Sequence, residues 1–224
     1  EHSTEPEQSL LGTLAGYRHI LKDGIFLAFL LLSLLTNLVY MQMNSSLSVF
    51  LRDMHGITAQ YYGYILTLNA LMVVFMQFWI TGKIAAYKPM IMMFLGNILY
   101  AIGFGMYGFV GSYPLFLLAM VIITVGEMVS SPILQSIVAN IAPQNMRGRY
   151  MAVFNLSHGA AMAVGPLAAG IIMDNYDPNW VWYAGGIICT ISALGYLVIQ
   201  AAAGKKLDKP AENEDLKEMR SENG

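Results

Sequence analysis

Apolar positions along the chain fall into six long runs, separated by short polar stretches. The runs cover roughly Ile25–Leu51, Tyr61–Thr81, Pro89–Gly111, Pro114–Ala142, Tyr150–Met173 and Trp180–Ala203. Each is long enough to cross a bilayer as a helix, for which roughly 20 apolar residues suffice. Between them lie segments such as "RDMHGITAQ", "GSYP" and "DNYDPN", whose Gly, Pro, Asn and Asp residues end helices. The pattern predicts an all-α, polytopic membrane protein. Its six-helix transmembrane domain covers 25–203, after a linker over 1–24 and before a charged tail over 204–224.

Charge adds a direction. Arg18 and Lys22 precede the first run, Lys83 and Lys88 join the second to the third, and Arg147 and Arg149 join the fourth to the fifth. Lys205, Lys206, Lys209, Lys217 and Arg220 follow the sixth. With six alternating helices all of these lie on one side, and only Arg52 lies on the other. Lys and Arg collect on the cytoplasmic side of membrane proteins. Both ends are therefore expected in the cytoplasm, with the bundle in the cell membrane. Leu10, Leu14, Tyr17 and Leu21 recur at helical spacing beside Arg18, His19 and Lys22. A helix lying on the inner membrane surface and a plain linker both fit them, since Gly12 and Gly16 weaken the helix.

Composition narrows the function classes. Hydrophobic residues make up 56% of the chain and charged ones 12%, against the about 25% charged residues usual in soluble domains. The net charge of −2 is not gathered into a basic face, so no nucleic-acid partner is implied. Cys189 is the one cysteine and lies in an apolar run, which excludes a disulfide within the chain and a cysteine metal site. Phosphate-cradle, nucleophile-elbow and zinc-protease motifs are missing, so the chain does not read as an enzyme and implies no cofactor or metal. It begins on Glu1 with polar, acidic residues and reads as a piece of a longer chain.

Glu127 stands out against this background, because the fourth run carries no other charge from Gly111 to Ala142. A carboxylate at membrane depth costs about 3 kcal/mol on insertion scales. On a helix it shares a face with Ser130 and Ser131, with Gln135 two turns on. Pro132 has no N–H for the carbonyl of Met128, so the helix is expected to bend or open beside the glutamate. A desolvated carboxyl group takes up a proton more readily than one in water. Glu127 thus fits a proton-coupling or cation-binding role, the default for an ionisable group at this depth, with a structural role bonded across helices as the alternative.

Other polar positions form stripes. Asn37, Tyr40, Asn44 and Ser48 recur along the first run, with a face that can line a cavity or pack helices. Asn155, His158 and Met162 share a face of the fifth run, where His158 fits either a proton relay or a neutral hydrogen-bonded role. Asn69, Met72 and Met76, with Gln77 beside them, do the same in the second. Sixteen methionines suit a deformable pocket or a simple core filling. Gly96, Gly103, Gly159 and Gly170 permit close helix approach.

Three short motifs, in this order on these connections, resemble the major facilitator superfamily of transporters. "GKIAAYKP" (Gly82–Pro89), with Gly82 and Lys83, resembles its cytoplasmic loop signature, with Ala86 at the usual acidic position. "APQNMRGRYMAV" (Ala142–Val153), with Arg147, Gly148 and Arg149, resembles the connection between its helices ten and eleven. "GPLAAG", with Gly165, Pro166 and Gly170, is similar to the glycine-proline packing motif of its antiporters. The resemblance implies that the six helices are the C-terminal half, helices seven to twelve, of a twelve-helix fold. It implies an N-terminal six-helix half as partner, besides the lipid bilayer, protons and a small-molecule substrate.

"GEMVSSP" followed by "NMRGRYMA" looks most like bacterial proton-coupled multidrug antiporters. That likeness implies efflux of hydrophobic or cationic compounds, with Glu127 as the proton-coupling residue. Asn37, Tyr40, Asn44, Ser131, Asn155 and His158 would line the substrate cavity. A proton-coupled peptide or other solute symporter of the same superfamily is the alternative. A non-transporting six-helix scaffold or assembly partner is the alternative of a different class.

Overall fold

A computed structural model describes residues 20–207. Seven α-helices follow one another from Gly24, and no strand occurs among the described residues. They are α1 (Gly24–Tyr40), α2 (Ser46–His55), α3 (Ala59–Ile84), α4 (Pro89–Tyr107), α5 (Tyr113–Ile141), α6 (Arg147–Asn175) and α7 (Asn179–Leu207). Two 3₁₀ turns, Met41–Met43 and Gln144–Met146, complete the set. Six stretches are long and apolar enough to cross a membrane, and α2 is the one helix outside them. Leu10, Leu14 and Tyr17 of the expected surface helix, and the tail beyond 207, lie outside the described residues.

Local chemistry sets the boundaries. Asp23 caps α1 by accepting a hydrogen bond from the Phe26 backbone N–H at 3.1 Å, which satisfies one of the orphan donors of a first turn. Its other carboxylate oxygen accepts from Tyr150 Oη at 3.1 Å, so the starts of α1 and α6 meet. Pro89 and Pro114 open α4 and α5, where a missing N–H is harmless. Gly56, with φ of 65°, ends α2 in the left-handed conformation that glycine adopts most easily.

The first apolar run differs from expectation: it is not one helix. It breaks after Tyr40 into the 3₁₀ turn and restarts at Ser46. The short polar residues there turn on their own backbone or on each other. Gln42 Nε2 donates to the Leu38 carbonyl at 2.8 Å, Ser45 Oγ to the Met41 carbonyl at 2.9 Å, and Ser46 Oγ to Gln42 Oε1 at 2.7 Å. α5, by contrast, runs unbroken through Pro132.

α4 is the central helix, packed against both α5 and α7, while α3 lies on α5 and α1 lies against α6 and α7. Small residues set the α4–α5 distance. A Cβ on Gly96 would run into Ser130 Oγ and sit 3.1 Å from the Gly126 carbonyl; one on Gly103 would sit 3.0 Å from the Ala119 carbonyl. Gly159 and Gly170, expected to act likewise, have nothing of this chain within 4 Å of such an atom.

Apolar cores close both ends of the bundle. One gathers Phe26, Phe29, Met90, Tyr150 and Tyr196 near the Asp23 end. The other holds a closed ring of aromatic contacts at the far end: His55–Phe50 at 5.1 Å, Phe50–Trp182 at 5.2 Å, Trp182–Tyr107 at 5.2 Å, Tyr107–Phe116 at 5.7 Å and Phe116–His55 at 4.9 Å. The polar positions of the spans lie between these two cores.

Candidate functional site

A cavity of about 210 Å³ opens between α1, α4, α5 and α6. Its polar wall comprises Thr36, Asn37, Tyr40, Glu127, Ser130, Ser131, Gln135, Asn155 and His158, and its apolar wall Met93, Tyr100, Leu134 and Phe154. Asn37, Tyr40, Glu127, Ser131, Asn155 and His158 therefore meet at one place, although they come from three different spans. Asn44 does not join them. The break after Tyr40 carries it out of the stripe, and it is exposed beyond the end of α1.

Glu127 is half-buried and both its carboxylate oxygens are occupied. Tyr40 Oη of α1 donates to Oε1 at 2.7 Å, and Asn69 Nδ2 of α3 donates to Oε2 at 2.8 Å. The Asn69 amide also donates to Thr124 Oγ1 at 3.0 Å, while that hydroxyl spends its own proton on the Met120 carbonyl at 2.7 Å. Thr124 is thereby an acceptor, which fixes which way the Asn69 amide points. Two donors on two oxygens suit an ionised carboxylate. They also tie three helices to one side chain.

The site offers one place for a proton. At Oε1 the Tyr40 hydroxyl can turn from donor to acceptor, whereas the Asn69 NH₂ group can only donate. The ionisable groups of the cavity wall are Glu127, His158, Tyr40 and Tyr100, and the wall contains no Lys or Arg. A negative charge held by neutral donors in a low-dielectric site attracts a cation or a proton.

Pro132 frees a backbone carbonyl, as its missing N–H demands. The Met128 carbonyl is relieved of its partner four residues on and accepts instead from Gln77 Nε2 of α3 at 3.1 Å. Deeper in the wall, Thr36 Oγ1 donates to Asn97 Oδ1 at 2.6 Å, joining α1 to α4. Ser130 Oγ is buried without a hydrogen-bond partner.

The motif residues sit away from the cavity. Gly82 and Lys83 are exposed at the end of α3, and Arg147, Gly148 and Arg149 begin α6. Gly165 packs on the end of α1, where a Cβ would sit 3.1 Å from the Leu38 carbonyl; Pro166 follows inside α6 and Gly170 makes no such approach. Sequence reasoning passed over Thr36, Met93, Tyr100, Leu134 and Phe154 as lining, and over Asn69 as the partner of Glu127. Asn69 carried a signal as a polar position on a methionine-flanked face of its run, but nothing in its spacing named its partner.

The model described as Major Facilitator Superfamily matches residues 1–159 and 55–223. The Na(+), Li(+), K(+)/H(+) antiporter of Planococcus maritimus is 23% identical over 205 residues, which are 84% of this chain and 48% of that protein. The uncharacterized MFS-type transporter YttB of Bacillus subtilis (strain 168) is 28% identical over 141 residues, 62% of this chain and 35% of that protein. A crystal structure of a POT family transporter in complex with a thioalcohol conjugated peptide is alike in fold, with a TM-score of 0.69 at 18% identity over 88% of this chain and 46% of that one. The chain thus spans about half or less of the length of these relatives.

Proposed function

The chain belongs to the Major Facilitator Superfamily, and on that premise we propose that it is one six-helix half of a proton-coupled transporter that expels small hydrophobic or cationic compounds. It is a multi-pass membrane protein of a transporter family, not an enzyme. In this proposal the six helices are the C-terminal half and a second six-helix half supplies the facing wall. The one-sided Lys and Arg support both ends lying in the cytoplasm, with the bundle in the cell membrane.

One observation carries the proposal: Glu127 stands in a cavity wall, held by two neutral donors and faced by no Lys or Arg. Ionised, it favours a cationic substrate. A proton arriving from the other side neutralises it, weakens that attraction and releases the substrate. The cycle is driven by the different affinities of the two cavity orientations for proton and substrate. The relative named as a cation/H(+) antiporter supports exchange of this kind. A peptide symporter would need a positive group for the peptide carboxylate, and this wall lacks one.

The test uses the full-length protein in liposomes under an imposed pH gradient, following a cationic dye. Gradient-driven movement that is lost in Glu127→Gln is the expected result. Normal coupling in the variant would remove Glu127 from the mechanism. No dye movement by wild type, with peptides carried instead, would favour the symporter; movement of neither would favour the scaffold.

A further inference from the structure

α3 is held in an unusual way. Ile65 is its one buried residue, and only 6% of its most apolar stretch is buried, against 50% for α4 and 44% for α5. Apolar packing therefore contributes little to its position within this chain. Its attachments are polar and unevenly spread. Near Ala59, Tyr62 Oη donates to the Met43 carbonyl at 2.9 Å, and Tyr113 Oη donates to the Tyr61 carbonyl at 3.0 Å. In the middle Asn69 holds Glu127 and Thr124, and further along Gln77 holds Met128. From Leu71 to Lys83 the outer surface carries Val74, Phe75, Phe78 and Trp79, each at least 70% exposed.

One of these attachments depends on charge. A hydrogen bond to an ionised carboxylate is roughly twice as strong as one between neutral groups. A proton taken up at Oε1, beside Tyr40, leaves Oε2 a neutral carbonyl oxygen, so the Asn69 bond persists but loses its charge assistance. The titratable groups facing Glu127 are Tyr40 from α1, Tyr100 from α4 and His158 from α6; α3 itself brings only neutral amides. We propose that Asn69 is the positioning residue that makes the docking of α3 on α5 follow the charge of Glu127. The ionised carboxylate keeps α3 docked, and the protonated one lets its Lys83 end swing about the anchored Ala59 end. This rests on Glu127 being the proton site of the proposed transporter.

The experiment is a distance measurement between spin labels at Phe78→Cys on α3 and Asn140→Cys on α5. It uses the full-length protein, otherwise free of cysteine, in nanodiscs from pH 8 to pH 5. Wild type is expected to shift to a longer, broader distribution as pH falls. Glu127→Gln should give the acid distribution at every pH, and Asn69→Ala should do the same with no remaining titration. Gln77→Ala removes a purely structural attachment, so its distribution should broaden yet still titrate. His158→Gln should titrate as wild type does.

A wild-type distance that ignores pH, an Asn69→Ala variant that titrates normally, or loss of the titration in His158→Gln would each overturn the proposal. The readout needs no transport. A distance that titrates in a protein that moves no dye keeps this inference and sinks the transport proposal, and coupled transport with a fixed α3–α5 distance does the reverse.

Discussion

Gln77 donates from its side-chain Nε2 to the backbone carbonyl of Met128, 3.1 Å away on the neighbouring helix. The carbonyl is available because Pro132 lacks the N–H that an α-helix would offer it. A defect in one helix is thus repaired by a side chain of another. Water cannot do this in a bilayer core, where an unpaired backbone group costs several kcal/mol.

Removing the amide should therefore matter only while the proline is present. Gln77→Leu leaves the carbonyl orphaned and is expected to destabilise the protein by about 1–3 kcal/mol. Pro132→Ala restores the helical donor, so adding Gln77→Leu to it should cost much less. Thermal unfolding of the full-length protein and the two single and one double variants gives the cycle. Additive losses would mean that Gln77 and Pro132 are not linked as described.

The α4–α5 seam makes a second prediction. Gly96→Ala places a methyl group against Ser130 Oγ and the Gly126 carbonyl, so the helices must part or the side chain must turn. Overpacking of this sort costs about 1–3 kcal/mol. Gly159→Ala meets nothing within the chain and should change stability by less than about 1 kcal/mol. Equal losses for the two would show that the seam is not the source.

His55 gives a pH dependence of its own, at the end of the bundle away from Asp23. Its Nε2 is buried without a hydrogen-bond partner, between the rings of Phe50 and Phe116. Burial disfavours the charged form and lowers its pKa below the ordinary value of about 6.5. Arg52 and Asp53 nearby are exposed and pair with each other at 2.6 Å. The packed state thus binds fewer protons than the unfolded one. The stability His55 contributes is complete above pH about 6.5 and is lost as pH falls through its lowered pKa. His55→Phe keeps a ring in place and should remove that part of the decline between pH 8 and pH 5. Melting curves that fall equally in both proteins would assign the acid sensitivity elsewhere.

The helices were legible from sequence because each is a continuous apolar run ended by charge, Gly or Pro. The read limit Pro114–Ala142 and the observed Tyr113–Ile141 differ by one residue at each end. The break after Tyr40 was not legible, since Gln42, Ser45 and Ser46 are short interruptions that only a hydrogen-bond pattern separates from an ordinary polar stripe. That break explains why Asn37 and Tyr40 reach the cavity and Asn44 does not. Glu127 was conspicuous because its cost is a property of one position. Asn69 and Gln77 were not, because their worth depends on which helix lies beside them, and periodicity along one helix carries no such information.

The clasp on Glu127 also has a bearing on biogenesis. Asn69 and Glu127 are 58 residues apart, with the whole of α4 between them. As the chain emerges, α3 is made before its acceptor exists, and its own apolar surface gives it no burial partner to wait against. Asn69 then sits in lipid without its bonds, and Gln77 with only its bond to Thr81, until α5 is inserted. Assembly of this bundle accordingly has a late step, closed by Glu127.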